Sequence, residues 1–269
     1  MTVSGAYGFR LSGLASDAWL GVSGATNWLE VSCKVDDDPD APELWLDVRA
    51  LELRVHADIR QSEFVHPLLG RAASQLALAH GADGIHAGAV TGRAGAWAVI
   101  GPKGAGKSTL LASLNDIGVP IVTDDILMFR DGVAMAGPRC IDLRPDVKRF
   151  GLGLAVRPSD PRNRVGLPSI TAEHRLAGLI HLEWSSSGET TIEPLDRREA
   201  IKRLLVLRSE KGYPRNPQAL LDLALLPTVV LSRPRAMSRL DGAVAEVERL
   251  LFGPSRAYAG SRMSSCHGS

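Results

Sequence analysis

The chain has 269 residues, with 31 Lys and Arg against 30 Asp and Glu and a formal net charge of +1. Hydrophobic residues make up 45% and charged residues 23%, an ordinary soluble globular balance with room for one large domain or two small ones. Near-neutrality removes any bulk attraction to nucleic acid or to an acidic membrane, and neither is an expected partner. No apolar run approaches the roughly 20 residues that cross a bilayer. The three cysteines, Cys33, Cys140 and Cys266, are too few and too scattered for a disulfide framework, and Cys140 reads as a packed thiol. The first 24 residues lack a basic start followed by an apolar stretch, so no signal peptide is expected and the expected location is cytoplasmic.

Residues 1–60 read as a β-rich N-terminal part. A strand is expected over 28–35. Leu44, Leu46 and Val48 alternate to one face, and Leu51, Leu53 and Val55 resume the alternation one residue out of phase, which predicts a turn or bulge near Ala50. The acidic run Asp36-Asp37-Asp38-Pro39-Asp40 lacks calcium-loop spacing and is expected to be a solvated hairpin loop. Residues 67–79 carry Leu68, Leu69, Ala72, Ala73, Leu76 and Ala77 at helical spacing, with Gly81 as the stop. Strands are expected over 85–90, which contains His86, and over 96–100, joined by a turn at 91–95. A helix over 109–114 stops near Gly118. A strand over 119–125 ends in Asp124-Asp125, and a hairpin turns at Asp131-Gly132. Residues 142–154 are mixed, with Pro145 as a first helical position. Further strands are expected over 179–184, 190–195 and 228–231, and helices over 197–207 and 236–251. A core over 61–255 and a disordered tail over 256–269 complete the division.

The run Gly101-Pro102-Lys103-Gly104-Ala105-Gly106-Lys107-Ser108 satisfies the phosphate-loop pattern G-x-x-x-x-G-K-S/T at every fixed position. It lies between an apolar strand and a helix, the order such a loop requires. The glycines let backbone N–H groups approach phosphate oxygens. Lys107 offers a charge to the β- and γ-phosphates, and the Ser108 hydroxyl can bind Mg²⁺. Residues 101–108 and Thr109 are thus the candidate binding residues for ATP. In Asp124-Asp125, one carboxylate can serve the metal and the other can take a proton from an attacking hydroxyl. Neighbouring strand residues point to opposite faces, so both reach one site only if the turn begins at this pair. A helix N-cap or an ordinary turn is the alternative. His86 alone reads as a packed core residue.

His86-Ala87-Gly88, then the loop at 101–108, then Asp124-Asp125 resemble in order and spacing the HPr kinase/phosphorylase family, in particular its short divergent members associated with lasso peptides. The resemblance covers roughly residues 60–195. It implies an α/β fold, a P-loop kinase core of the HPr kinase and phosphoenolpyruvate carboxykinase type with a β-rich N-terminal part. It also implies phosphate transfer to a protein serine. By that resemblance Lys107 and Ser108 bind the triphosphate and Mg²⁺, Asp124 handles the proton, Asp125 assists the metal or the geometry, and His86 sits beside the phosphates. Asp142 and Arg144 stand where the family's downstream signature has Glu and Arg, with Pro145 in place of its glycine. Asp142 is therefore a further candidate metal ligand. Arg144 is the first candidate to meet developing phosphoryl charge, and Arg162 or Arg164 follows. Arg139, Lys148, Arg149 and Arg157 complete the basic residues of this region. Arg197, Arg198, Lys202 and Arg203 read as a solvated helix face. The expected function is an ATP- and Mg²⁺-dependent kinase acting on a serine-like hydroxyl of a peptide or protein. A small-metabolite kinase and a P-loop ATPase or nucleotide-binding regulator are the alternatives. A homo-oligomer stays open.

Overall fold

The strands of the described residues form three sheets. The computed structural model describes residues 5–12, 29–40, 42–56, 68–144, 147, 154–155, 162–206 and 216–253. The expectations for Pro145, Lys148, Arg149, Arg157, Cys266 and the 256–269 tail lie outside these residues.

The first sheet is built from β1 (Gly5–Ala6), β2 (Phe9–Ser12), β3 (Leu29–Asp36), β4 (Leu44–Asp47) and β5 (Glu52–His56), in the order β1-β2-β3-β5-β4. The phase change near Ala50 is the turn of the β4/β5 hairpin, where Leu51 takes a φ of 52°. The acidic run 36–40 is solvated but does not close a hairpin. β3 pairs in parallel with β5, so β5 lies between β3 and β4 and the run crosses over it. Asp36 and Asp38 stabilise this crossing by accepting from the amides of Asp38 and Asp40. The α-helix α1 (Gly70–Ala79) packs Ala72, Ala73, Leu76 and Ala77 with Val31, Leu53 and Val55 of this sheet and with Met128 and Met135 beyond it.

The large sheet has nine strands. Its continuous path takes β6 (Asp83–Ile85), β10 (Leu127–Arg130), β11 (Val133–Met135), β15 (Glu173–Ser185), β8 (Gly95–Ile100), β7 (Ala87–Gly92) and β9 (Ile121–Thr123) in that order. β16 (Thr191–Pro194) pairs with β17 (Thr228–Pro234), which pairs with β15. The predicted strand over 85–90 breaks at His86, which lies between β6 and β7 rather than within a strand. The hairpin at Asp131-Gly132 joins β10 to β11.

One face of the sheet buries Val99, Ile180, Leu182 and Leu231 against α2 (Lys107–Asp116) and α5 (Leu240–Phe252). The other buries Ile100, Val122, Phe129 and Leu179 against Leu204 of α3 (Arg197–Leu205) and Leu223 of α4 (Pro217–Leu225). Helix α4 was not expected from the sequence. The mixed stretch that begins at Asp142 is not helical where described. β12 (Cys140–Leu143), β13 (Leu154–Ala155) and β14 (Asn163–Gly166) form a small antiparallel sheet in the order β12-β14-β13. Among the described residues no helix is long and apolar enough to cross a membrane.

Candidate functional site

Strand direction assembles the site. β8, β15 and β17 are mutually parallel, and β9 and β8 each run antiparallel to β7, so β9 points the same way as β8. The carboxyl ends of four strands therefore meet at one edge, which is where open α/β sheets bind their ligands. β9 delivers Asp124 and Asp125, β8 the glycine loop, β15 Trp184, and β17 Arg233 and Arg235. His86, just before the first residue of the antiparallel β7, arrives at the same edge. All of these residues line one cavity of about 690 Å³.

The loop turns into α2 at Gly106, whose φ is 81°. A Cβ there would stand 2.2 Å from Arg233 Nη2, so a side chain would strain the backbone and displace that guanidinium. The start of α2 has neither a capping side chain nor an acidic residue in its first turn. By contrast α3 is capped by Asp196 and α4 by Asn216. Helix α2 thus keeps its amide donors and the positive end of its dipole for an anion. Lys103, Gly104, Gly106, Lys107, Ser108 and Thr109 line the cavity, Gly101 and Ala105 are buried, and Pro102 is exposed.

Lys107 is buried, and its Nζ donates to the carbonyls of Gly101 at 2.8 Å and Pro102 at 3.5 Å. Burial lowers its pKa, against the opposing charges of Asp124 and Asp125. Ser108 Oγ donates to Asp124 Oδ1 at 3.1 Å, which ties the loop hydroxyl to the first carboxylate of the pair.

The turn does begin at the pair. Asp125 adopts a φ of 71°, a left-handed conformation that Asp tolerates better than most residues, and its carboxylate meets His86 Nδ1 at 3.3 Å. Buried groups hold the turn from below. Thr123 Oγ1 donates to Ile126 O at 2.8 Å, as does the Tyr7 hydroxyl, also at 2.8 Å. The Tyr7 amide donates to Ala136 O, which joins the N-terminal sheet to this strand end. Burial pushes the Tyr7 hydroxyl pKa upward, so it acts as a neutral donor. Arg139 is 1% exposed and donates to the carbonyls of Ile121, Val122 and Pro168. Burial brings its pKa down to about 10, which leaves it charged at neutral pH.

Asp142 and Arg144 line the cavity as well. Both oxygens of Asp142 accept from Arg164, from Nε at 2.7 Å and from Nη2 at 2.8 Å, in a buried bidentate pair. Arg144 is exposed, and Arg162 is half-buried and lines the same space. Cys140 lies buried nearby, and burial raises its thiol pKa to about 12, so it is not a nucleophile at neutral pH. Among the described residues no group of three or more His, Cys, Asp or Glu could hold a metal. Ser108 with Asp124 and Asp125 fits Mg²⁺, which binds through few protein oxygens and completes its shell with phosphate and water.

Sequence reasoning missed Tyr7, Trp184 and Arg233. Tyr7 is distant in sequence and carries no motif. Arg233 and Arg235 flank a proline at the end of a predicted strand, and Trp184 closed another. Two parallel strand ends with a cation and an indole were the available signal.

No family model matches the chain, and no curated protein matches it. Among solved structures it is similar to one described as the HPr(Ser) kinase/phosphatase from Coxiella burnetii. The identity is 12% and the TM-score 0.33, over 62% of this chain and 96% of that one.

Proposed function

We propose that the chain is an ATP- and Mg²⁺-dependent phosphotransferase that phosphorylates a serine-like hydroxyl of a peptide or protein. One observation carries the reading. The loop hydroxyl Ser108 and the strand-end carboxylate Asp124 are hydrogen-bonded at the mouth of an uncapped glycine loop, beside Lys107. The amides at the start of α2 and the Lys107 ammonium bind the phosphates, for which Lys107 exchanges its loop carbonyls for phosphate oxygens. Ser108 and Asp125 would hold Mg²⁺, which would supply charge neutralisation for the phosphates. Asp124 accepts the proton of the acceptor hydroxyl as its oxygen bonds to the γ-phosphorus and the bond to the β–γ bridging oxygen breaks, releasing ADP. His86 fixes the orientation of Asp125. Arg144 and Arg162 stand where charge on the transferred group can be met. His86 and Asp125 are 38% and 47% exposed, which leaves the acceptor side open to a side chain presented by another polypeptide.

The test is transfer of the γ-phosphate of labelled ATP to serine-containing peptides, with small hydroxyl metabolites as a parallel arm. Asp124→Asn is expected to lower transfer by at least about 100-fold while ATP binding changes little. Transfer that survives this substitution refutes the role of Asp124. Labelling of metabolites alone favours the small-molecule kinase.

A further inference from the structure

The loop accounts for phosphate but not for the rest of a nucleotide, and the opposite end of the cavity holds groups that the proposed transfer does not use. Trp184 and Arg233 are direct neighbours across the parallel pair β15 and β17, on the face that carries α2. The Arg233 guanidinium carbon lies 4.3 Å from the centre of the Trp184 ring, a stacking distance. Arg233 also donates to the loop carbonyls of Ala105 and Gly106, at 3.1 and 3.3 Å, so it clamps the indole against the loop. The Trp184 ring comes within 3.3 Å of the position a Gly106 Cβ would occupy.

Despite these contacts, Trp184 stays 38% exposed, and Met237, in the short turn after β17, is 47% exposed. Two large apolar side chains are thus left open to water in the same cavity. Arg235 lies 5.9 Å from the Trp184 ring centre, at the same rim. Among the described residues Arg233 Nε is buried without a partner, which marks this corner as incompletely satisfied.

We propose that Trp184, with Met237 and Arg235, forms the platform for the nucleobase of the bound triphosphate. The idea rests on the reading of the loop as a triphosphate site. Strand order supports it. Asp124 and Asp125 follow β9, on one side of β8, and Trp184 and Arg235 stand at the ends of β15 and β17, on the other. A nucleotide whose γ-phosphate faces Asp124 therefore runs across the loop and ends its base at Trp184. An exposed indole pinned on one face by a guanidinium offers a pre-ordered planar surface, which stacks any purine without selecting a base edge. The predicted specificity is accordingly for a purine nucleoside triphosphate, with weak preference between adenine and guanine.

The test compares dissociation constants of the full chain for ATP, GTP and inorganic tripolyphosphate by calorimetry. Trp184→Ala is expected to weaken ATP and GTP about tenfold and tripolyphosphate less than about twofold, whereas Trp184→Phe keeps most of the affinity. Met237→Ala, at an exposed position, is expected to weaken only the nucleotides, by about threefold. Lys107→Ala should weaken all three ligands together. Equal loss of ATP and tripolyphosphate in Trp184→Ala, or no loss of either, overturns the platform and leaves the loop reading intact. Failure of the unaltered protein to bind any of the three overturns both.

Discussion

Arg139→Met tests whether a buried cation sets the position of the proposed catalytic carboxylate. Arg139 donates to Ile121 O at 2.7 Å, to Val122 O at 3.1 Å, and twice to Pro168 O, at 2.9 and 3.0 Å. Ile121 and Val122 are the two residues before Thr123-Asp124, so the guanidinium grips the strand at its functional end. With methionine the apolar volume is largely kept and every one of these bonds is lost. Val122 O keeps the Gly137 amide, but Ile121 O and Pro168 O lose their guanidinium donors. Leaving the buried Ile121 O without its donor costs about 1–3 kcal/mol, loss of the other charged hydrogen bonds adds to that, and relief from burying the charge offsets part of the sum. The expected net loss is about 3 kcal/mol, a large share of the roughly 5–15 kcal/mol that holds a domain folded. Urea unfolding followed by circular dichroism should show a lower midpoint with an unchanged slope. Arg139→Lys keeps the charge but not the fork, and should fall between the two. A methionine variant within about 0.5 kcal/mol of the unaltered protein would match an indifferent surface position and refute the reasoning.

Two further predictions concern buried charge. Burial, with Arg203 adding to it and Glu199 opposing, holds the His181 pKa down to about 4, and among the described residues its Nε2 has no partner. The unfolded chain therefore binds a proton more readily than the folded one between pH 6.5 and about 4, and stability falls as pH drops through that window, by up to about 3 kcal/mol. His181→Leu should flatten that part of the stability profile, and a profile identical to that of the unaltered protein would refute the assignment. Asp142→Asn should cost about 3 kcal/mol by leaving Arg164 buried without its carboxylate, and the Asp142→Leu/Arg164→Met pair should cost less than the sum of its single changes. Unchanged stability with weakened Mg²⁺ affinity would instead make Asp142 a metal ligand.

The parts of the site held by local chemistry were legible. Glycine spacing, the apolar run before it and the helix formers after it describe one contiguous unit, and the structure builds that unit as β8, the loop and α2. The argument that Asp124 and Asp125 reach one site only if the turn begins there is matched by the positive φ of Asp125. What failed was non-local. The run 36–40 reads as a hairpin loop because it is short and acidic, yet pairing of β3 with β5 is decided by strands that lie further on. The stretch after Arg139 reads as mixed because β12 takes its partner from β14, about twenty residues away, and periodicity over a short window does not see that. Helix α4 has apolar residues on much of its surface, including exposed Leu221 and Leu225, which blurs the stripe that would have announced it.

The same distinction explains why the N-terminal sheet belongs to the site's physics although it contributes no residue to the cavity. A left-handed Asp costs about 1–3 kcal/mol and persists only where its surroundings over-determine it. Here the constraints come from four directions. The Ile126 amide donates to Asp124 O within the turn, Thr123 Oγ1 and Tyr7 Oη converge on Ile126 O, and Arg139 holds the strand that leads in. Gly137 is forced by the same crowding, since a Cβ there would stand 2.2 Å from Thr123 Oγ1 and 2.9 Å from the Tyr7 hydroxyl. Tyr7 itself is anchored by its amide on Ala136, with a φ of 53°. Tyr7, itself left-handed, thus reaches across the seam between the sheets to the carbonyl of the residue after Asp125. The N-terminal sheet fixes the turn, the turn fixes Asp124 against Ser108, and the glycine loop gains a rigid partner that its own sequence does not encode.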